Sequence, residues 1–97
     1  MIVISVLYPS GAPLDLDYYR DRHLPLVRRL LAPMGMRSIS YYRPGEQSPY
    51  QLVAELRFDT MAATTAALAA QGPETQADIP NFTAAVPVIL IGEEVQA

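Results

Sequence analysis

Two runs near the ends of the chain limit the fold most. In the first, Ile2, Ile4, Val6 and Tyr8 alternate with Val3 and Leu7; in the last, Val86, Val88 and Leu90 alternate with Ile89 and Ile91. A strand can be apolar on both sides only where both sides are covered. The chain has 97 residues, enough for one domain spanning 1–97. A domain of this size removes only about 60–65% of its unfolded surface from water. It contains no cysteine to form a disulfide, yet 51% of its residues are hydrophobic. Association with a second subunit is the remaining way to bury more of that surface.

Between the two runs the pattern alternates helix and strand. Pro9-Ser-Gly11-Ala-Pro13 stops the first strand. Asp15 to Ala32 reads as a helix, with Asp15 as N-cap and Asp17 adding negative charge to the first turn. At about 100° per residue, Leu16, Tyr19, Val27 and Leu30 share the side that carries His23. Pro25 lacks an N–H and disfavours helical geometry at Leu24, so a kink or restart is expected, with the carbonyl of Asp21 freed from its helical partner. Pro33-Met-Gly35 ends this helix. Met36 to Arg43 and Tyr50 to Phe58 read as an antiparallel hairpin joined across Pro44-Gly45. Asp59-Thr60 caps a second helix over Met61 to Ala70, which Gly72-Pro73 should end. Ala77 to Ala84 reads as a loop with one helical turn, and Val86 to Ile91 as the last strand, with Pro87 near its start. The order β-α-β-β-α-β predicts an α+β, ferredoxin-like fold: a four-stranded antiparallel sheet with two helices on one face. The helix-free face then needs a cover, and the expected cover is the same face of a second copy, giving a homodimer through the sheets.

Charge and composition remove several functional classes. The net charge is −3 and all seven basic residues are arginines spread along the chain, so no nucleic-acid partner is expected. Arg20, Arg22, Arg28 and Arg29 interleave with Asp17 and Asp21 at spacings that make surface pairs, which reads as a solvated helix face; Arg20 lies closest to the apolar side. No apolar run reaches the roughly 18 residues of a membrane span. The N-terminal Met1-Ile-Val-Ile-Ser shows no basic region or cleavage site, so no signal peptide is expected and the expected location is cytoplasmic. One histidine and no cysteine cannot build a structural zinc site, and no Gly-x-Gly-x-x-Gly run is present. Neither a metal nor an organic cofactor is therefore expected.

His23 is the sole histidine. Centred on the apolar side of its helix, it should face inward, where burial lowers its pKa and favours the base-competent neutral form. The functional reading is a general acid/base in the wall of an apolar pocket. The competing reading is an inert core histidine bonded to the Asp21 carbonyl that Pro25 frees. Tyr8, Tyr19, Tyr41, Phe58 and Phe82 are the candidate substrate-binding residues, since a tyrosine hydroxyl beside His23 can orient a carbonyl or phenol.

The segment Tyr18-Tyr19-Arg-Asp-Arg-His23-Leu-Pro25-Leu-Val27, behind an apolar strand, has the pattern Tyr-Tyr-x3-His-x-Pro-Leu-Val. It resembles the EthD family, of the dimeric α+β barrel superfamily. Phe58-Asp59-Thr60, the Asp78…Asn81-Phe82-Thr83 stretch and the closing strand extend the resemblance over nearly the whole chain. The resemblance implies a barrel-forming dimer with a small-molecule pocket between sheet and helices in each subunit. Family members are often described as reductases or oxidoreductases, and similar barrels include cofactor-independent monooxygenases, muconolactone-type isomerases and small decarboxylases. Related barrels in other families hold haem through one histidine, but no second feature of this sequence supports haem. The expected function is an enzyme acting on an apolar carbonyl or aromatic compound, as a cofactor-independent oxidoreductase, isomerase or decarboxylase with His23 as general acid/base. The alternative is a non-catalytic ligand-binding or accessory protein of a degradative or biosynthetic pathway.

Overall fold

A computed structural model describes residues 1–97. The N-terminal apolar run forms β1 (Ile2–Pro9), which lies inside the sheet. It pairs antiparallel on one side with β3 (Tyr50–Phe58) and on the other with β4 (Val88–Glu93); β2 (Met36–Tyr42) completes the order β2-β3-β1-β4. The register puts Ile4 opposite both Leu56 and Ile91, and Ile39 opposite Leu56. Period-two alternation then sends Ile2, Ile4, Val6, Tyr8, Leu52, Ala54, Leu56 and Phe58 toward the helices. Val3, Ser5, Leu7, Val53, Glu55 and Arg57 face the other way. This is a ferredoxin-like α+β fold. No helix is long and apolar enough to cross a membrane.

The first helical layer is built in pieces. The Asp15 carboxylate accepts the Tyr18 N–H at 3.1 Å and caps α1 (Leu16–Tyr18). A π-helical turn follows over Tyr19–His23, and α2 then runs over Leu24–Leu31. Pro25 sits in the first turn of α2, where its missing N–H is tolerated. The restart expected there takes the form of this wide turn, in which the Leu24 N–H reaches the Tyr19 carbonyl five residues back. A wide turn uses one more residue than an α-turn, so later positions fall one residue behind a straight helix. Leu31 is accordingly buried and Leu30 only half-buried, whereas a uniform 100° step places Leu30 on the inner stripe. Leu24 is also buried, beside Tyr19, His23 and Val27. The layer ends in a 3-10 turn (Ala32–Met34) and at Gly35, whose φ of 105° is the left-handed cap that glycine adopts freely.

The second helix departs from expectation. It does not stop at Gly72-Pro73; α3 runs over Met61–Ala77, with Thr60 Oγ1 accepting the Ala63 N–H at its start. Proline disfavours the helix partly through a clash with the Cβ of the preceding residue, and Gly72 has none. The carbonyl that loses its partner belongs to Ala69, an exposed residue that water can solvate. The last strand also shifts, to Val88–Glu93, because pairing with β1 runs from Leu7 opposite Val88 to Ile2 opposite Glu93; Val86 and Pro87 lie outside it.

Phe58, fully buried at the end of β3, anchors a core shared with Ile4, Val27, Leu31, Met36, Leu56 and Ala67. β4 is different: Val88 and Leu90 on the outer side and Ile89 and Ile91 on the inner side are all exposed. Of the two strands read as apolar on both sides, β1 is buried on its helix side, with Val3 and Leu7 half-buried on the other, and β4 is covered on neither. Phe58→Ala should remove about 3–5 kcal/mol, a large part of the roughly 5–15 kcal/mol available to a small domain; urea denaturation followed by circular dichroism measures it.

Candidate functional site

Tyr8 at the end of β1, Tyr19 and His23 in the π turn, and Gln76 and Ile79 at the end of the second layer meet around one apolar cavity of about 500 Å³. Its walls include Ile4, Val6, Val27, Leu56 and Leu68, with Ile89 and Ile91 of β4 at one side. No Arg, Asp or Glu side chain lines it.

His23 is 5% exposed. Its Nδ1 lies 2.9 Å from Oδ2 of Asp78, the residue that ends α3. The other oxygen, Oδ1, accepts the Tyr18 hydroxyl at 2.8 Å and the Asn81 side-chain amide at 2.9 Å. An ionised carboxylate only accepts, so Nδ1 carries the proton and Nε2 carries the lone pair. Nε2 has no protein partner, yet every fully enclosed side-chain nitrogen or oxygen has one. Nε2 is therefore not fully enclosed, and the residue that carries it lines the cavity. The imidazole is held from both sides, nearly parallel to the Tyr19 ring at 5.5 Å and tilted against Phe82 at 4.7 Å.

Two opposing effects set the protonation of the pair. Burial lowers the His23 pKa, and the hydrogen bond and charge of Asp78 only partly reverse this, so the ring is neutral at neutral pH. Burial pushes Asp78 up, but the hydrogen bonds from Asn81, His23 and Tyr18 outweigh it and hold the carboxyl below its ordinary value. A helix C-terminus by itself favours a cation; here three donors hold a carboxylate.

Tyr8, Tyr19 and His23 share the cavity wall, but Tyr41, Phe58 and Phe82 do not. Tyr41 packs edge-on against Tyr19 at 5.3 Å, and Phe82 backs the imidazole. Phe58 ends β3, where its inward side chain is enclosed by the main core. Arg20 turns outward to Asp17 and Asp21, at 3.1 and 2.9 Å. The partner of the His23 ring is also corrected: it is Asp78, not the Asp21 carbonyl. Asp78, Tyr18 and Asn81 escaped the sequence reading as site residues. Their one signal was the Asp78…Asn81-Phe82 spacing, which says nothing about an approach to His23 55 residues earlier in the chain.

The family model of the EthD domain matches residues 15–85. The chain belongs to the EthD family. An EthD-like protein from Ralstonia eutropha JMP134 is 30% identical, with a TM-score of 0.77 over 95% of this chain and 89% of that one. An ethyl tert-butyl ether D (EthD) family protein from Bacillus halodurans C-125 is 23% identical, with a TM-score of 0.70 over 98% and 99% of the two chains. At 14% identity, the EthD domain also shares its fold with SnoaB, a cofactor-independent oxygenase from Streptomyces nogalater, with a TM-score of 0.58 over 97% and 93%. No curated protein matches the sequence.

The His23 site makes folding pH-dependent. With its folded pKa depressed below the ordinary 6.5, His23 contributes stability above that value and loses it as acid charges the unfolded histidine first. Asp78, depressed below 3.8, adds a second loss at lower pH. Denaturation at about pH 8 and about pH 5 should show wild type losing more stability than His23→Gln over that interval.

Proposed function

We propose that this EthD-family chain is a small-molecule enzyme in which His23 withdraws a proton from an apolar carbonyl or aromatic compound. One observation carries the reading: an imidazole held through Nδ1 by Asp78, neutral and with Nε2 unpaired, belongs to a residue that lines an apolar cavity. The absence of charged walls selects uncharged ligands, because a buried charge without a partner is expensive. Nε2 accepts the proton, and Asp78 stabilises the imidazolium that results, the role a carboxylate plays behind any catalytic histidine. The ligand is left as a carbanion, enolate or phenolate. Reprotonation at another carbon gives isomerisation, and reaction with dioxygen as the oxidant gives cofactor-independent oxidation; where the proton comes instead from a carboxylic acid, the carboxylate loses carbon dioxide and leaves the enolate. A positioned base of this kind contributes about 10²–10⁴-fold. Exchange of ligand protons with deuterated water, followed by NMR on a panel of apolar ketones, tests the base. His23→Gln should abolish exchange, and Asp78→Asn should slow it by at least about tenfold. Ligands that bind wild type and His23→Gln equally and exchange with neither would leave the non-catalytic binding role.

We further propose that a second copy covers the outer sheet face. Tyr42, Val53, Leu7 and Val88 lie in register across all four strands and form an apolar stripe. Beside it Arg57 pairs with Glu55 and Glu94, so the face offers both an apolar strip and a polar border. Tyr42, Val88 and Leu90 are exposed on this face, while Leu7 is half-buried and Val53 buried between them; exposed apolar residues grouped on one face mark an interaction surface, and two-fold pairing makes such a face its own partner. Light scattering should give twice the 10.7 kDa chain mass. Leu90→Lys with Val88→Lys should give the single-chain mass, because both side chains are exposed within the subunit.

A further inference from the structure

Tyr8 and Tyr19 are among the most deeply buried side chains, at 2% and 1% exposure. Neither hydroxyl donates to or accepts from any protein group, whereas Tyr18 has Asp78. Both oxygens nevertheless escape full enclosure, since no enclosed side-chain oxygen lacks a partner. Both residues line the cavity beside His23. Buried hydroxyls normally find a partner, and leaving two unpaired in one apolar cavity is costly unless an acceptor belongs there.

We propose that the Tyr8 and Tyr19 hydroxyls form a two-donor site for a ligand oxygen that becomes negatively charged as His23 takes its proton. The inference rests on the proton-transfer reading of His23 and narrows its ligand to molecules carrying such an oxygen: an enolisable ketone or a hydroxyarene. Two properties suit the phenols to this role. Burial, reinforced for Tyr19 by Tyr8 and Tyr41, pushes both hydroxyls well above the ordinary tyrosine value, so they stay protonated and donate. Their positions are also rigid. The two rings meet edge-on at 6.0 Å, and Tyr19 is locked in addition by His23, Tyr41 and Phe82. Donors fixed before the reaction, in a cavity with no competing charge, stabilise developing charge without reorganising.

The chemistry balances without a further reactant. A ligand C–H or O–H bond breaks, its proton forms a bond to Nε2, and the electron pair delocalises onto the oxygen between the two phenols. Reversal restores both partners, which is what isotope exchange reads.

The test uses 2-tetralone as ketone, 2-naphthol as hydroxyarene and naphthalene as the oxygen-free control. Tyr8→Phe and Tyr19→Phe should each weaken binding of an oxygen-bearing ligand about tenfold and leave naphthalene within about twofold, which also reports that the cavity is intact. The carbonyl stretch of bound 2-tetralone should lie below its value in an apolar solvent and return toward it in each variant. Exchange at its α-carbon should fall about 10²-fold per hydroxyl removed. Response to only one of the two oxygen ligands identifies which source the site takes. Unchanged affinity and carbonyl frequency in Tyr8→Phe/Tyr19→Phe overturn the proposal, as does failure of both oxygen ligands to saturate wild type. If that variant is silent while His23→Gln abolishes exchange, the donor pair falls and the base stands. If the carbonyl frequency responds while exchange ignores His23→Gln, the base falls and the donor pair stands.

Discussion

A missing N–H at Pro25 sets the geometry on which the site depends. A proline within a helix leaves a carbonyl unpaired and clashes with the turn behind it. Here the chain widens one turn over Tyr19–His23 and restarts an α-helix at Leu24 with the proline in its first turn. The widened turn carries both Tyr19 and His23 and points both inward. A second proline works by a different route. Gly72 in front of Pro73 removes the side chain that would collide with the ring, so α3 continues to Ala77 and delivers Asp78 at its end. Two local accommodations of proline, on separate helices, thus bring together an imidazole and a carboxylate.

That pairing explains why so few polar atoms suffice in so apolar a cavity. Desolvation alone would leave a neutral but loosely oriented ring; the Asp78 carboxylate fixes its tautomer, and Tyr19 and Phe82 fix its plane. The carboxylate is in turn kept ionised by three donors from different segments, Tyr18, His23 and Asn81. The proton sits on Nδ1 because its acceptor cannot donate, and this leaves the lone pair on Nε2. Removing any member shifts the rest, so the pair acts as one unit.

The first three strands were legible in the sequence to within a residue, because period-two alternation marks Tyr50 to Phe58 and a β-branched run marks Ile2 to Tyr8, whereas the last strand lies two residues later than its apolar run, where pairing with β1 sets it. The inward direction of His23 was legible for the same reason on the helix, since Tyr19, His23 and Val27 are four residues apart and stay on one side even through a wide turn. What followed the wide turn was not: the exchange of Leu30 for Leu31 depends on how the chain relieves Pro25, which periodicity assumes away. The end of α3 was misread because Gly and Pro each signal a stop alone, whereas their combination at Gly72-Pro73 relieves the clash that makes proline a stop. Asp78 was invisible as a partner, since nothing local marks a carboxylate that meets its histidine only after the sheet has folded. Phe58 and Phe82 show the limit of residue type: both are buried aromatics near the cavity, and only packing decides that one holds the core and the other backs the imidazole.

β4 gives the molecule a property beyond its share of the sheet. Its side chains alternate, so Ile89 and Ile91 wall the cavity while Val88 and Leu90, one residue away along the same backbone, form part of the exposed outer face. Any shift of β4 along β1 therefore moves a wall of the cavity and a part of the outer face together.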